Sequence, residues 1–160
     1  MRIAVLSDTH LPSRTSSLPG GVYEAVADSD LVIHAGDCVE EAVIRDLERL
    51  APVQAVSGNM DDPCLSERLP SRLELTLEGF RVCVAHGWGP PWGLTDRVLS
   101  LFETPPDILV YGHSHEWHLE RRGGMLILNP GSTCGPRGKR SMALLTLERG
   151  RDPVVERIAL

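Results

Sequence analysis

Six short apolar runs rich in Val, Ile and Leu recur along the chain, and each one ends in a cluster of turn-forming or metal-competent residues. "RIAVL" leads into "SDTH", "DLVI" into "HAGD", "PVQAV" into "SGNMDD", "RVCVA" into "HGWG", "DILV" into "YGHSH" and "GMLIL" into "NPGS". A strand with one wet face alternates polar and apolar residues, so continuous runs of this length predict strands buried on both faces, as in a layered α/β protein. In an open α/β sheet the connecting loops and helix N-termini open beyond the carboxyl ends of the parallel strands, and ligands gather there. The six clusters are therefore expected along one rim.

The connections fit this layout. "VEEAVIRDLERL" places Val39, Ala42, Val43, Leu47 and Leu50 at helical three-and-four spacing, "LPGGVYEAVADSD" predicts a shorter helix, and "LTDRVLSLF" puts Leu94, Val98, Leu101 and Phe102 on one stripe. Two stretches break the rhythm: "LELTLEGFRVCVA" reads as a hairpin turning at Glu78-Gly79, and "SMALLTLERGRDPVVERIAL" as another turning near Gly150. "EWHLERR" reads as a further strand. The sheets are therefore expected to be mixed. With no repeat, low-complexity tract or linker, residues 1–160 are expected to form one domain.

Composition limits the partners. A formal net charge of −6 argues against a general electrostatic grip on nucleic acid or anionic lipid, so a bound phosphate needs a local positive centre. Cys38, Cys64, Cys83 and Cys134 form no C-x-x-C pair, which suggests neither a zinc ribbon nor a disulfide framework. No apolar stretch approaches the roughly 18–20 residues of a membrane span, and "MRIAVLSDTH" turns polar too soon for a secretory signal. A whole, cytoplasmic chain is expected, with no nucleic-acid groove and no membrane partner; a homo-oligomer is left open.

The strand-end clusters supply Asp8, His10, Asp37, Asn59, His86, His113 and His115. Seven donors suit two metal ions. Carboxylate oxygen, amide oxygen and imidazole nitrogen form a borderline set that favours Mn²⁺ first, with Fe²⁺, Zn²⁺ or Ni²⁺ as alternatives, over Ca²⁺ or Mg²⁺. Two ions about 3.5–4 Å apart hold a bridging hydroxide, and Asp37 is best placed to bridge them. Two divalent ions offset by Asp8, Asp37 and one hydroxide leave a charge of roughly +1, enough to draw a phosphate to an acidic protein.

The ordered series "SDTH", "GD", "GN", "HG" and "GHSH" resembles the calcineurin-like metallophosphoesterase superfamily, and the short chain with its "NPGS" loop resembles the small bacterial and archaeal phosphodiesterase branch. The resemblance implies a metallophosphoesterase-type α/β fold, a β-sandwich of two mixed sheets flanked by α-helices. It implies that Asp8, His10, Asp37 and His115 hold one divalent ion and Asp37, Asn59, His86 and His113 the other. The implied activity is hydrolysis of small phosphodiesters by a hydroxide bridging two metals, with Asp37, Asn59 and His86 at the reacting centre. Gly36, Gly58, Gly87 and Gly112 each adjoin a proposed ligand, where a side chain would hinder the tight turns.

The sequence departs from the larger enzymes of that superfamily in reading "GNMDD" where they carry G-N-H-E. Met60 stands in the place of the histidine thought to protonate the leaving group, which favours diesters with good leaving groups and leaves Asp61, Asp62 or His118 as weaker acids. In "PRGKRS", Arg137, Lys139 or Arg140 could hold a phosphate, although a solvated turn is the plainer reading. His34 is expected to be a satisfied core residue or a support for a ligand, and Trp88 and Trp92 to pack their loop, with lining of the substrate mouth as the alternative. "HEWH" has the wrong spacing for a zinc protease helix, "GHSHE" lacks the closing glycine of a nucleophile elbow, and "GPRGKRS" is no P-loop. The alternative is a non-catalytic protein-binding scaffold of the same fold, as in the retromer small subunit, which this chain resembles in "LPSRTSSLP", "PWG" and "NPGS".

Overall fold

A computed structural model describes residues 1–13, 16–136 and 138–160. The elements run β1 (Arg2–Leu6), α1 (Gly20–Ala27), β2 (Leu31–His34), α2 (Glu41–Glu48), β3 (Val53–Ala55), α3 (Pro63–Arg68), β4 (Arg72–Leu77), β5 (Phe80–Ala85), α4 (Leu94–Leu99), β6 (Ile108–Tyr111), β7 (Trp117–Arg122), β8 (Met125–Pro130), β9 (Ser141–Thr146) and β10 (Val154–Ala159). They make two five-stranded sheets, ordered β10-β9-β1-β2-β3 and β4-β5-β6-β8-β7. Each sheet is mixed as expected: β1, β2 and β3 are parallel, as are β5, β6 and β8, and the two predicted hairpins supply antiparallel pairs.

The continuous apolar runs follow from the layering. Ile3, Val5, Ile33, Val82, Val84, Ile108 and Val110 meet in a cluster between the sheets. Their neighbours Ala4, Leu6 and Val32 face the other way, onto Val22, Val26, Val43 and Leu47 of α1 and α2. On the outer face of the second sheet, Cys83, Ala85, Leu109 and Ile127 pack with Leu94 and Val98 of α4. Both faces of the central strands are thus dry, and each fully buried aliphatic side chain contributes about 1.5–3 kcal/mol. Among the described residues, no helix is long and apolar enough to cross a membrane.

Helix boundaries differ from expectation. The α2 segment is shorter than its apolar spacing predicts: Val39 lies outside it with φ +77°, its amide held by Asp61 Oδ1 at 2.7 Å, and Leu50 is exposed beyond its end. The face that packs is Val43, Ile44 and Leu47. The sequence reading missed α3, although its start signals are present: Pro63 occupies the first turn and Asp62 Oδ1 accepts from the Leu65 amide at 2.8 Å. Six residues with one buried side chain leave no periodicity to detect.

Candidate metal centre

The loop after β1 and the loop after β2 extend their strand pairing past the last residues of the sheet. The Asp8 amide donates to Gly36 O and the His10 amide to Asp37 O, each at 3.0 Å. This stitching brings the two carboxylates together and fixes one oxygen of each. Asp8 Oδ2 accepts from Ser7 Oγ at 2.6 Å and from the His113 amide at 3.2 Å, while Asp37 Oδ1 accepts from the Met60 amide at 2.8 Å. The other oxygen of each faces the imidazoles.

Asp8, His10, Asp37 and His115 each place one donor atom within 4.8 Å of the other three. His115 Nε2 lies 3.0 Å from Asp8 Oδ1 and 3.2 Å from His10 Nε2. Asp37 Oδ2 stands 3.6 Å from His10 Nε2 on one side and 3.2 Å from His86 Nε2 on the other. One oxygen thus faces residues of both predicted donor sets. His86 gives Nδ1–H to Ala35 O at 2.7 Å, which leaves its Nε2 lone pair aimed at the centre.

The second set is less tightly gathered. The rings of His86 and His113 are 5.3 Å apart and nearly perpendicular, and His113 Nδ1 faces Asn59 Oδ1 at 3.1 Å while its Nε2 faces Gly89 O at 2.9 Å. Nδ1 of His113 and Oδ1 of Asn59 are both atoms of the kind that a divalent cation takes as ligands. The structure brings all seven candidates to one rim, but only the first four onto a common point.

Burial and charge suit a cation. Asp8, His10, Asp37 and His86 are between 0% and 3% exposed. Burial alone pushes both carboxyls up, yet the contact with His115, the charges of His86 and His115 and the Ser7 hydrogen bond hold Asp8 below the usual range. For Asp37, burial is likewise outweighed by His86, the Met60 amide and His10. Burial pushes His86 down, and Asp37 and Asp8 more than reverse this. Asp8 Oδ1 and His86 Nε2 are buried atoms that make no properly angled hydrogen bond among the described residues, despite their 3.0 and 3.2 Å neighbours. Uncompensated buried polar atoms are costly, and one such atom in each predicted donor set fits the binding of divalent ions.

The backbone carries the same signal. Asp8, His10, Asp37, His113 and His115 all have φ between +48° and +73°. Left-handed conformations in non-glycine residues cost on the order of 1–3 kcal/mol each and cluster at functional sites. At Gly58 and Gly112 the constraint is proximity: a Cβ would lie 2.2 Å from Asp37 Oδ1 at the first and 2.0 Å from Ser7 Oγ at the second.

The sequence reading missed the residues that brace this rim. In the "NPGS" loop, Asn129 Nδ2 donates to Gly112 O at 2.8 Å and to Ser114 Oγ at 3.1 Å, Ser132 Oγ donates to Asp8 O at 2.8 Å, and Thr133 Oγ1 donates to Ser7 O at 3.1 Å. This run ends like the other five, but its cluster braces the loops that carry the candidate ligands. His34 is the satisfied core residue expected, with Nε2 at 3.2 Å from Thr9 Oγ1 and Nδ1 at 3.2 Å from Cys38 Sγ; burial lowers its pKa to about 4.

Trp88 and Trp92 do not pack: they are 45% and 76% exposed, because Arg97 and not indole burial holds their loop. Its Nε donates to Trp88 O at 3.1 Å, its Nη1 to Trp92 O at 2.8 Å and its Nη2 to Pro90 O. Asp61 accepts from the Gly58 and Val39 amides, each at 2.7 Å, and Asp62 caps α3, so both are engaged in structure. His118 Nδ1 contacts the Tyr111 hydroxyl at 2.7 Å. Arg140 Nε donates to Gly135 O at 2.8 Å, Lys139 is exposed, and Arg137 lies outside the described residues.

Comparison with known proteins agrees with this geometry. A family model described as the calcineurin-like phosphoesterase superfamily domain matches residues 1–150. A Methanothermobacter thermautotrophicus protein named "Probable metallophosphoesterase" is 42% identical over 138 residues, covering 86% of this chain and 80% of that protein. A phosphodiesterase of Methanocaldococcus jannaschii is 30% identical over 149 residues, covering 84% and 86%. The crystal structure of Vps29 from Chaetomium thermophilum superposes with a TM-score of 0.81 over 99% of this chain and 93% of that one, at 19% identity, a likeness of fold alone.

Proposed function

The chain belongs to the calcineurin-like phosphoesterase superfamily, and from that premise we propose that it hydrolyses small phosphodiesters with two divalent ions, Mn²⁺ foremost. The observation that carries this reading is the position of Asp37 Oδ2, within 3.6 Å of His10 Nε2 and 3.2 Å of His86 Nε2, while Oδ1 is anchored by an amide. Asp8, His10 and His115 complete one set of ligands with Asp37, and Asn59, His86 and His113 complete the other.

Bound there, the ions supply Lewis acidity to the phosphoryl oxygens and make water a usable nucleophile near neutral pH. The chain's residues orient and stabilise. Asn59, at the more open set, faces the charge that grows on the phosphoryl oxygens, and His86 serves that charge through the ion its Nε2 would hold. The His86 ring is held for this by its bond to Ala35 O. Met60 offers no proton and Asp61 and Asp62 are occupied by backbone amides, so the reading favours esters whose leaving group departs without assistance.

The scaffold alternative leaves two ionised carboxylates at 0% and 2% exposure and five left-handed ligand residues with no gain to offset them. A panel of bis(p-nitrophenyl) phosphate, p-nitrophenyl phosphate and an alkyl monoester, with Mn²⁺, Zn²⁺ or Mg²⁺ and with chelator, is the test. Metal-dependent turnover that is fastest on the diester is expected. Absence of turnover on every ester with every metal would sink the enzymatic reading.

A further inference from the structure

A cavity of about 240 Å³ opens beside the metal centre, lined by Asn59 and His86 together with Trp88, Leu101, Ser57 and Ser71. Two of these residues belong to the proposed ligand set, so a group seated in the cavity adjoins whatever the ions hold. We propose that this cavity receives one ester arm of the substrate and that Trp88 selects a planar aromatic ring for it, an inference that rests on the phosphodiesterase reading above.

Pockets that enclose drug-sized ligands span roughly 300–1,000 Å³, so a volume of about 240 Å³ suits a single ring system. Trp88 keeps 45% of its surface in water although it is large and apolar, and its loop is nonetheless fixed. Arg97 of α4 holds the carbonyls of Trp88, Pro90 and Trp92, and Gly89 O meets His113 Nε2 at 2.9 Å. An indole presented on a backbone clamped from both sides gives up little freedom when a ring stacks on it. Ser57 and Ser71 add hydroxyls that can meet polar ring substituents, and Leu101 adds apolar surface. The metals attract any phosphoester alike, which leaves selection among esters to uncharged contacts of this kind.

The test is calorimetric titration of the Mn²⁺-loaded protein with methylphosphonate, phenylphosphonate and adenosine 5′-monophosphate, in the wild type, Trp88→Ala and Trp88→Phe. Alanine at an aromatic stacking position weakens ring binding roughly 5- to 150-fold. The ring-bearing ligands are expected to bind the wild type about tenfold more tightly than methylphosphonate, Trp88→Ala to erase that advantage and Trp88→Phe to retain most of it. Methylphosphonate, with no ring to stack, reports whether the metal centre survives the substitution. An advantage confined to phenylphosphonate assigns the cavity to aryl esters, and one confined to the nucleotide assigns it to nucleobases; either supports the proposal. Equal affinities for methyl and ring-bearing ligands in the wild type, or an advantage intact in Trp88→Ala, overturns it. Turnover of bis(p-nitrophenyl) phosphate in the same preparations separates the two readings. Hydrolysis without ring preference removes the cavity assignment alone, whereas ring preference without hydrolysis, here and across the ester and metal panel above, keeps the cavity and removes the enzymatic reading.

Discussion

The two halves of the rim are built differently. Asp8, His10, Asp37 and His115 converge within 4.8 Å, on loops stitched to each other by backbone hydrogen bonds and braced by Ser132 and Thr133. Asn59 is exposed and His113 half-buried, and their contact is a side-chain pair set beside a cavity. A preformed cage binds its ion with little reorganisation, while an open set leaves coordination positions to substrate. If both sets hold ions as proposed, the contrast predicts that the first half retains its metal more tightly and that the second exchanges ligands with substrate.

The sharpest way to break this comparison is at the residue the halves share. Asp37→Asn is expected to lower kcat/KM for bis(p-nitrophenyl) phosphate at limiting Mn²⁺ on the order of 10³-fold, beyond the roughly 10–100-fold of a bracing partner. Wild-type-like turnover would show that no oxygen is shared. Next, His10→Ala and His113→Ala should differ in kind. Calorimetric titration with Mn²⁺ should show His10→Ala losing the tighter of two sites by about 100-fold or more and His113→Ala losing the weaker. Two sites of equal affinity in the wild type would erase the distinction.

A third effect comes from below the first half. His34 has a pKa of about 4 when folded against 6.5 ordinarily, so the unfolded chain takes up a proton first as pH falls. Its contribution is complete above pH 6.5 and is lost between about 6.5 and 4, by roughly 3 kcal/mol. Urea unfolding of metal-free protein across that window, compared with His34→Gln, isolates it; the variant should flatten the slope. The smallest effect is expected at Asn129→Ala, which frees Gly112 O and Ser114 and should weaken Mn²⁺ binding about tenfold, read by competition with a chelating dye.

All seven candidates were legible in the sequence, since each belongs to a polar cluster behind an apolar run, whereas their division into two sets came from the family resemblance alone. The braces were not readable in this way. Ser132 reaches Asp8 across 124 residues, and Asn129 and Thr133 are neutral side chains whose role exists only once the two packed sheets bring the end of β8 to the loops that follow β1 and β6. Arg97 lies on the predicted helix "LTDRVLSLF", but nothing local shows that its guanidinium gathers three carbonyls. The expectation that the tryptophans pack failed because it assigned to apolar burial a task performed by one cation.

The close approaches at Gly58 and Gly112 bear on how such a chain can diverge. Exchanging a carboxylate for an inert residue gives up its bond to the Met60 or His113 amide along with its chemistry, but even a methyl group at either glycine would force the strand ends apart. Over generations of drift, the imprint of the cage should therefore outlast its occupant.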